Sequence, residues 1–531
     1  MTVAALADDY LGRLAPLDPA AAALVGASGD PWPDLSPDGV VGRYDLDRTT
    51  ASALRQAVPG DEFEERLRKV MLERLEASVA LHEVGFTPRL LAPLATPLHR
   101  IESRLEAAPR HTEHDRAELG RLLRAVPATM EDHRATLAWA RDRGWVASRR
   151  QIGIVAAQIR TWTGEGPAGV LSGLHQTLSD DPDLAGPASY ALAAFAATAD
   201  FLGRDLGPGA PDRDGVGDEE YGVTARAFLG SPVDLDEVAE WGRSQVAELE
   251  AKAAALAELI EPGAGLDEVC RRLDSDRRIG RDEVEGWLQA RIDLATEAMS
   301  GWGLPHQVGA LSCRITESTG GVMFYSPAPP GGGRPGMVWW TLEGDSVPAW
   351  RQATTVHHEG VPGHHLQHVM AATADLHPWQ RHLCHVHGYA EGWAHHAEAL
   401  AGELGLLDDP AEHLGFVLGQ LHRACRIVAD SALHLDPGPG RVVGWSIPEA
   451  VDYLQRVGRL DEITARFEVD RYLGWPAQAL AFRVGARAWE SLRAGAEKSE
   501  GPGFDPVRFY RRALALGPMG LDPLAEIARG S

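Results

Sequence analysis

Residues 355–367 read TVHHEGVPGHHLQ. They hold a His-Glu pair, His358 and Glu359, and a histidine pair, His364 and His365, but the interval is two residues longer than in the zinc-binding pattern H-E-x-x-H. In an unbroken helix the two histidines of that pattern sit four apart, one turn from each other on one face. Here the residue four after His358 is Pro362. His365 regains the face, but about 10 Å along a continuous helix at ~1.5 Å per residue, too far to share an ion held at about 2.0 to 2.1 Å. Pro362 removes a backbone donor and Gly363 admits conformations that other residues resist, so the helix is expected to break at 361–363. A two-residue bulge there returns His364 to the closing position. The reading selects His358 and His364 as ligands, over His357 and His365, and leaves His365 as a supporting neighbour.

Glu359 follows His358 and takes the position of a general base for a water that the ion acidifies. A third ligand is needed. Between 357 and 396 the acidic residues besides Glu359 are Asp375, before the loop-like LHPWQ, and Glu391. Glu391 lies in HGYAEGWAHHAEALAGEL, which reads as a helix able to carry it rigidly, so Glu391 is the expected third ligand. Glu398, two turns on along the same face, is expected to support a ligand instead. Zinc is the expected ion, although two histidines and one carboxylate also suit iron. Eleven of the 21 histidines fall between His357 and His396, a clustering in keeping with metal chemistry.

The rest of the 531-residue chain reads as mainly helical. Apolar residues recur at three and four positions in 62–85 and 236–260. Gly- and Pro-rich breaks at 206–220, 325–336, 434–441 and 497–506 mark loops, and none is long enough for a linker. GMVWWTL (336–342), aromatic and β-branched, is read as a strand beside the metal motif whose edge could pair with an extended substrate. Gly331 to Gly333 lack a following Lys-Ser/Thr, so they are read as a loop and not a phosphate cradle.

Hydrophobic content of 44% and charged content of 24% are those of a folded globular protein. A formal charge of -25 with no basic cluster argues against a nucleic-acid partner. Asp8 and Asp9 interrupt the first residues where a secretory leader would be apolar, and no run reaches the roughly 18 apolar residues of a membrane span. These features suggest a cytoplasmic protein without a membrane partner. The four cysteines form no C-x-x-C pair, so neither a disulfide framework nor a thiolate zinc site is expected.

The motif resembles that of a bacterial family of unknown function, DUF885, whose pattern is H-E-x-x-P-G-H. The likeness continues in FYSPAPPGGGRPGMVWWTL (324–342), GYAEGWAHHAE (388–398), RACRIVADSALH (423–434), EVDRYLGWPAQALAFRVG (468–485) and PDLSPDG (33–39). It implies a mainly helical, zinc-peptidase-like body with a deep cleft and a small β element by the metal site. It also implies one large catalytic unit, with 1–300 as a helical scaffold lobe and 301–531 as the metal-site lobe. Where the family has Gly and Tyr, this chain has Ala477 and Phe482, and His396 stands where Tyr is common. A hydroxyl that could polarise a substrate carbonyl is therefore missing at 482.

Two polar sets could complete the site. Arg423, Arg426, Asp430 and His434 recur at three or four positions on one helix, and they form either an exposed stripe with an Arg426–Asp430 pair or a stripe facing the cleft. In the second case His434, or Tyr472 of DRY, stabilises the oxyanion, and Asp430 supports the site. Arg426, Arg471, Gln478 and Arg483 are the expected substrate-binding groups, an arginine suiting a substrate carboxylate. Together these readings predict a zinc-dependent hydrolase of the metallopeptidase type acting on a peptide or small-molecule amide. The rivals are a metal enzyme for a non-peptide molecule (amidase, lyase or oxidative) and a metal-stabilised binding protein.

Overall fold

The periodic segments form helices whose starts are the ones their polar residues signal. Asp61 opens Glu62–Glu83 by accepting the Glu64 N–H, and Asp234 opens Leu235–Ile260 by accepting those of Asp236 and Glu237. Thr112 and Asp115 form a reciprocal capping box at the head of Glu113–Arg141. The computed structural model describes residues 1–530 apart from 165–168, 303–309, 317–322, 329–333, 343 and 439, so Gly331 to Gly333 lie outside the described residues. Among the described residues the fold is mainly helical with two small sheets. Among the described residues no helix is long and apolar enough to cross a membrane.

The chain divides into two compact units that are not continuous in sequence. The first comprises Met1–Ala227, Leu433–Asp436 and Arg466–Pro476, and the second comprises Phe228–Ala432, Pro437–Ala465 and Ala477–Ser531. Within the second unit the helix Leu235–Ile260 packs close to Ile427, with Gly242 so near that a Cβ would stand 2.7 Å from its Cγ2.

In the first unit an apolar cluster buries Trp32, Leu98, Ile101, Leu119, Met130, Ile159 and Phe195. The same interior holds neutral histidines. Burial pushes His133 and His434 down to about 4, and half-buried His99 to about 4 although its Nε2–H donates to Gln158 Oε1 at 3.2 Å. An unfolded histidine takes its proton near 6.5, so stability present above that pH is lost as pH falls toward 4, by at most ~3 kcal/mol per group. His133→Leu, which removes a ring whose Nε2 has no hydrogen-bond partner, is expected to lose less urea stability between pH 7 and pH 4.5 than the parent does.

In the second unit a three-stranded sheet places Gly336–Thr341 in the middle, parallel to Leu311–Thr316 and antiparallel to Phe324–Ser326. The strand expected at 336–342 thus exists, but the expectation that its edge receives a substrate is corrected. Val338 faces Cys313 on one side and Tyr325 on the other, so its backbone is already paired. Trp340 is buried, while Trp339 takes the other face and stacks on Phe324 at 6.3 Å. The sheet touches the motif through Tyr325, whose hydroxyl lies 3.0 Å from His365 Nδ1.

Candidate metal centre

The motif folds as two helices, not one. Ala349–Glu359 ends at Gly360, a turn follows, and His364–Thr373 begins after Gly363. The turn contains a cis Val361–Pro362 peptide and is tied by the Gly363 N–H to His357 O at 2.9 Å and the His365 N–H to Gly360 O at 3.0 Å. His357 Nδ1 meets Val361 O at 3.1 Å, which occupies that ring inside the turn and away from ligand duty. The break brings the rings of His358 and His364 to 5.0 Å, nearly perpendicular.

A third helix, His387–Glu403, supplies the carboxylates. It packs against Ala481–Glu500 through glycines that permit close approach, since a Cβ on Gly392 would stand 2.5 Å from Gly485. Glu391 Oε2 lies 3.3 Å from His358 Nε2 and 3.8 Å from His364 Nε2. One ligand atom from each of these three residues falls within 4.8 Å of the others. Two residues after Glu391 on the same helix stands Trp393, which is fully buried. Its Nε1–H reaches Pro362 O at 3.1 Å and Gly363 O at 3.0 Å, so it fixes the motif turn to the carboxylate helix. An indole in an apolar helix reads as packing, and no sequence signal revealed this tie.

Glu398 sits behind the three. It is fully buried, accepts from His358 Nδ1 at 2.7 Å, Thr354 Oγ1 at 3.0 Å and Gln420 Nε2 at 3.3 Å, and forms an ion pair with Arg423 Nη2 at 3.2 Å. Burial would push its proton affinity up, but Arg423 and His395 outweigh that and hold it well below the carboxylate range. Glu391 behaves alike: burial raises it, and the hydrogen bond from His358 with the charge of His364 pulls it below its ordinary value. For His358 burial acts downward, and its bonds to Glu391 and Glu398 lift it to about 9. Glu359, 9% exposed, is pushed up by burial against the pull of His358 and His364. Glu398→Ala is expected to weaken metal binding about tenfold to a hundredfold, as loss of an outer partner of a ligating histidine does, read by competition with a chromophoric zinc chelator.

The remaining expected residues are distributed unevenly. Arg426 and Gln478 are both 4% exposed and bond each other, Nη2 to Oε1 at 3.3 Å, so Arg426 and Asp430 of that stripe are buried and Arg423 is half-buried. Asp430 Oδ2 accepts the Ala477 N–H at 3.0 Å and so holds Ala477 in a left-handed conformation, φ +66°, at the position where the resemblance implied glycine. Arg483 donates to Gln420 Oε1 at 2.7 Å and to Gln245, which makes it a brace for Gln420. His396, the other departure, meets the Tyr510 hydroxyl at 2.7 Å.

His434, Tyr472 and Arg471 belong to the first unit, whereas the metal-binding candidates belong to the second. His434 Nδ1 accepts the Val216 N–H at 3.4 Å and Nε2 lies 3.0 Å from Tyr472 O, so both nitrogens work inside their own unit. Arg471 pairs with Glu468 at 3.3 Å.

Phe482 is the neighbour the sequence marked only as a departure. Its ring stacks on His358, centroids 6.1 Å apart and 20° from parallel, with the Arg426 guanidinium 4.4 Å from its centroid.

The profile of a family described as bacterial protein of unknown function (DUF885) matches residues 19–527. The chain belongs to DUF885. No curated protein matches it. Among solved structures, this DUF885 chain is similar to a lipoprotein candidate from Colwellia psychrerythraea, with 19% identity, TM-score 0.84 and coverage of 99% of this chain and 98% of that one. It is also similar to a lipoprotein candidate of unknown function from Shewanella oneidensis, with 15% identity, TM-score 0.76 and 99% of each chain covered. At these identities the likeness establishes a shared fold. The two names overturn the cytoplasmic expectation: this DUF885 fold is carried by proteins named as lipoproteins, and the compartment read from the first residues is withdrawn.

Proposed function

We propose that this DUF885 chain is a divalent-metal-dependent hydrolase that cleaves a peptide or peptide-like amide, with zinc as the ion. The observation that carries the reading is the convergence of His358 Nε2, His364 and Glu391 within 4.8 Å, beside a Glu359 set on the same helix end as His358. The donor set fits a zinc ion. The Nδ1 of His358 is anchored on Glu398, which leaves Nε2 directed at Glu391, and two imidazoles with one carboxylate leave a coordination position for water or substrate.

When bound, the ion supplies Lewis acidity to a carbonyl oxygen and acidifies a water molecule. The chain's own residues do the rest. A carboxylate oxygen of Glu359 would take one proton from the attacking water as the C–O bond forms and then pass it to the amide nitrogen as the C–N bond breaks, leaving a carboxylic acid and an amine. Burial favours this exchange because a raised proton affinity brings Glu359 toward the range where a base both accepts and releases. Glu398 keeps His358 in the tautomer with Nδ1–H, so that Nε2 faces the ion.

Phe482 favours the first rival, a non-peptide substrate, because position 482 offers no hydroxyl to a carbonyl oxygen. Incubating zinc-loaded and metal-stripped protein with a diverse peptide mixture, followed by mass spectrometry, separates the two. Cleavage that needs the ion supports a peptidase, and fragment ends give the mode of attack. Metal bound without any cleavage overturns the peptidase reading, and metal analysis of protein purified without added metal distinguishes zinc from iron.

A further inference from the structure

Four helices each send one side chain into a closed circuit around the metal motif. His358 from Ala349–Glu359 meets Glu398 from His387–Glu403, Nδ1 to Oε1, at 2.7 Å. Glu398 meets Arg423 from Pro410–His434 at 3.2 Å. The Arg423 guanidinium lies 5.4 Å from the ring centroid of Phe482, from Ala481–Glu500, and Phe482 stacks back on His358. We propose that Arg423 is a positioning residue: by bridging Glu398 and Phe482 it locks both the edge and the face of His358, and so sets how firmly that histidine holds a divalent ion. The inference rests on the metal site of the proposed function and not on its peptidase chemistry.

Arg423 spans from Glu398 to the Phe482 ring, while Arg426 covers the same ring and donates to Gln478 Oε1. Glu398 is 0% exposed and Arg423 17%, and Arg423 sets a full positive charge 3.2 Å from the buried carboxylate. A buried carboxylate needs such a partner to remain charged. A planar guanidinium can also bond a carboxylate in its plane and offer its face to a ring, which an ammonium cannot do. The sequence showed Arg423 only as the first member of a helical stripe, because the circuit spans four segments.

The test is a double-mutant cycle read on metal binding. Zinc dissociation constants come from chelator competition, and ligand geometry from the visible absorption of the cobalt(II)-loaded protein. Arg423→Met and Phe482→Leu are each expected to weaken zinc binding about tenfold and to shift the cobalt bands, and the double variant to be no worse than about twofold beyond the weaker single, because either change opens the same circuit. Phe482→Tyr, which keeps the ring, should match the parent in both readouts. Arg423→Lys, which keeps the charge and spares the core, should fall between parent and Arg423→Met. Singles that match the parent, effects that multiply in the double, or a Phe482→Tyr that behaves like Phe482→Leu each overturn the proposal. A parent that binds ion but cleaves nothing defeats the peptidase reading alone, and a parent that binds no ion defeats both.

Discussion

Replacing Glu359 with glutamine is expected to lower turnover about a hundredfold to ten-thousandfold, the range for loss of a positioned general base, while leaving the ion in place. The two halves of this expectation come from separate observations. Metal retention follows because His358, His364 and Glu391 supply the converging donors and Glu359 is not among them. Loss of turnover follows because glutamine keeps the shape of the buried side chain at the helix end yet cannot accept a proton. The site is also tolerant of the exchange. Glu359 is 9% exposed and burial already penalises its charge, so a neutral isostere relieves a cost and the variant should melt no lower than the parent. Turnover measured against zinc content per chain checks both parts. A fully loaded variant with parental turnover would move the base elsewhere.

What the sequence revealed about the site follows from how local each constraint is. The Pro362–Gly363 break was legible because a proline and a glycine act on their own backbone, and the two-helix motif that sets His358 beside His364 is the result. Glu391 was reached by elimination within forty residues of the motif, and the structure does bring it to both histidines. Residues whose positions depend on distant segments were read less well. The strand at 336–341 was recognised by composition, but its central place depends on Leu311–Thr316 and Phe324–Ser326, which no single-strand pattern encodes. His434 shares a helix with Arg423, yet its ring nitrogens are taken by Val216 and by the Tyr472 carbonyl, far apart in the chain. Trp393 and Phe482 look like ordinary core residues in one dimension, and only packing reveals that one fixes the motif turn and the other covers a ligand candidate.

Gly363→Ala is expected to cost about a hundredfold or more in zinc affinity, at or beyond the upper end for disturbed outer partners, because it displaces a ligand itself. The reason is steric and does not involve a positive φ, which is -73° here. A Cβ at 363 would stand 1.9 Å from His358 O and 2.4 Å from His357 O, both backbone atoms that cannot swing aside. The Gly363 N–H already bonds His357 O at 2.9 Å, and Trp393 holds Gly363 O from the other side, so the turn has no slack on either flank. Relief requires the turn to open, and opening it carries His364 away from His358 and Glu391. The fold outside the motif need not fail, since overpacking of this kind typically costs about 1 to 3 kcal/mol. A control separates the local effect from a general intolerance of glycine replacement. Gly495, inside the helix Ala481–Glu500, has nothing within 4 Å of its would-be Cβ, so Gly495→Ala should leave zinc affinity unchanged and raise stability by roughly 0.5 to 1 kcal/mol. If Gly363→Ala instead bound zinc as tightly as Gly495→Ala, the close approach at 363 would be irrelevant to the site, and the two-residue insertion would lose its role in placing His364.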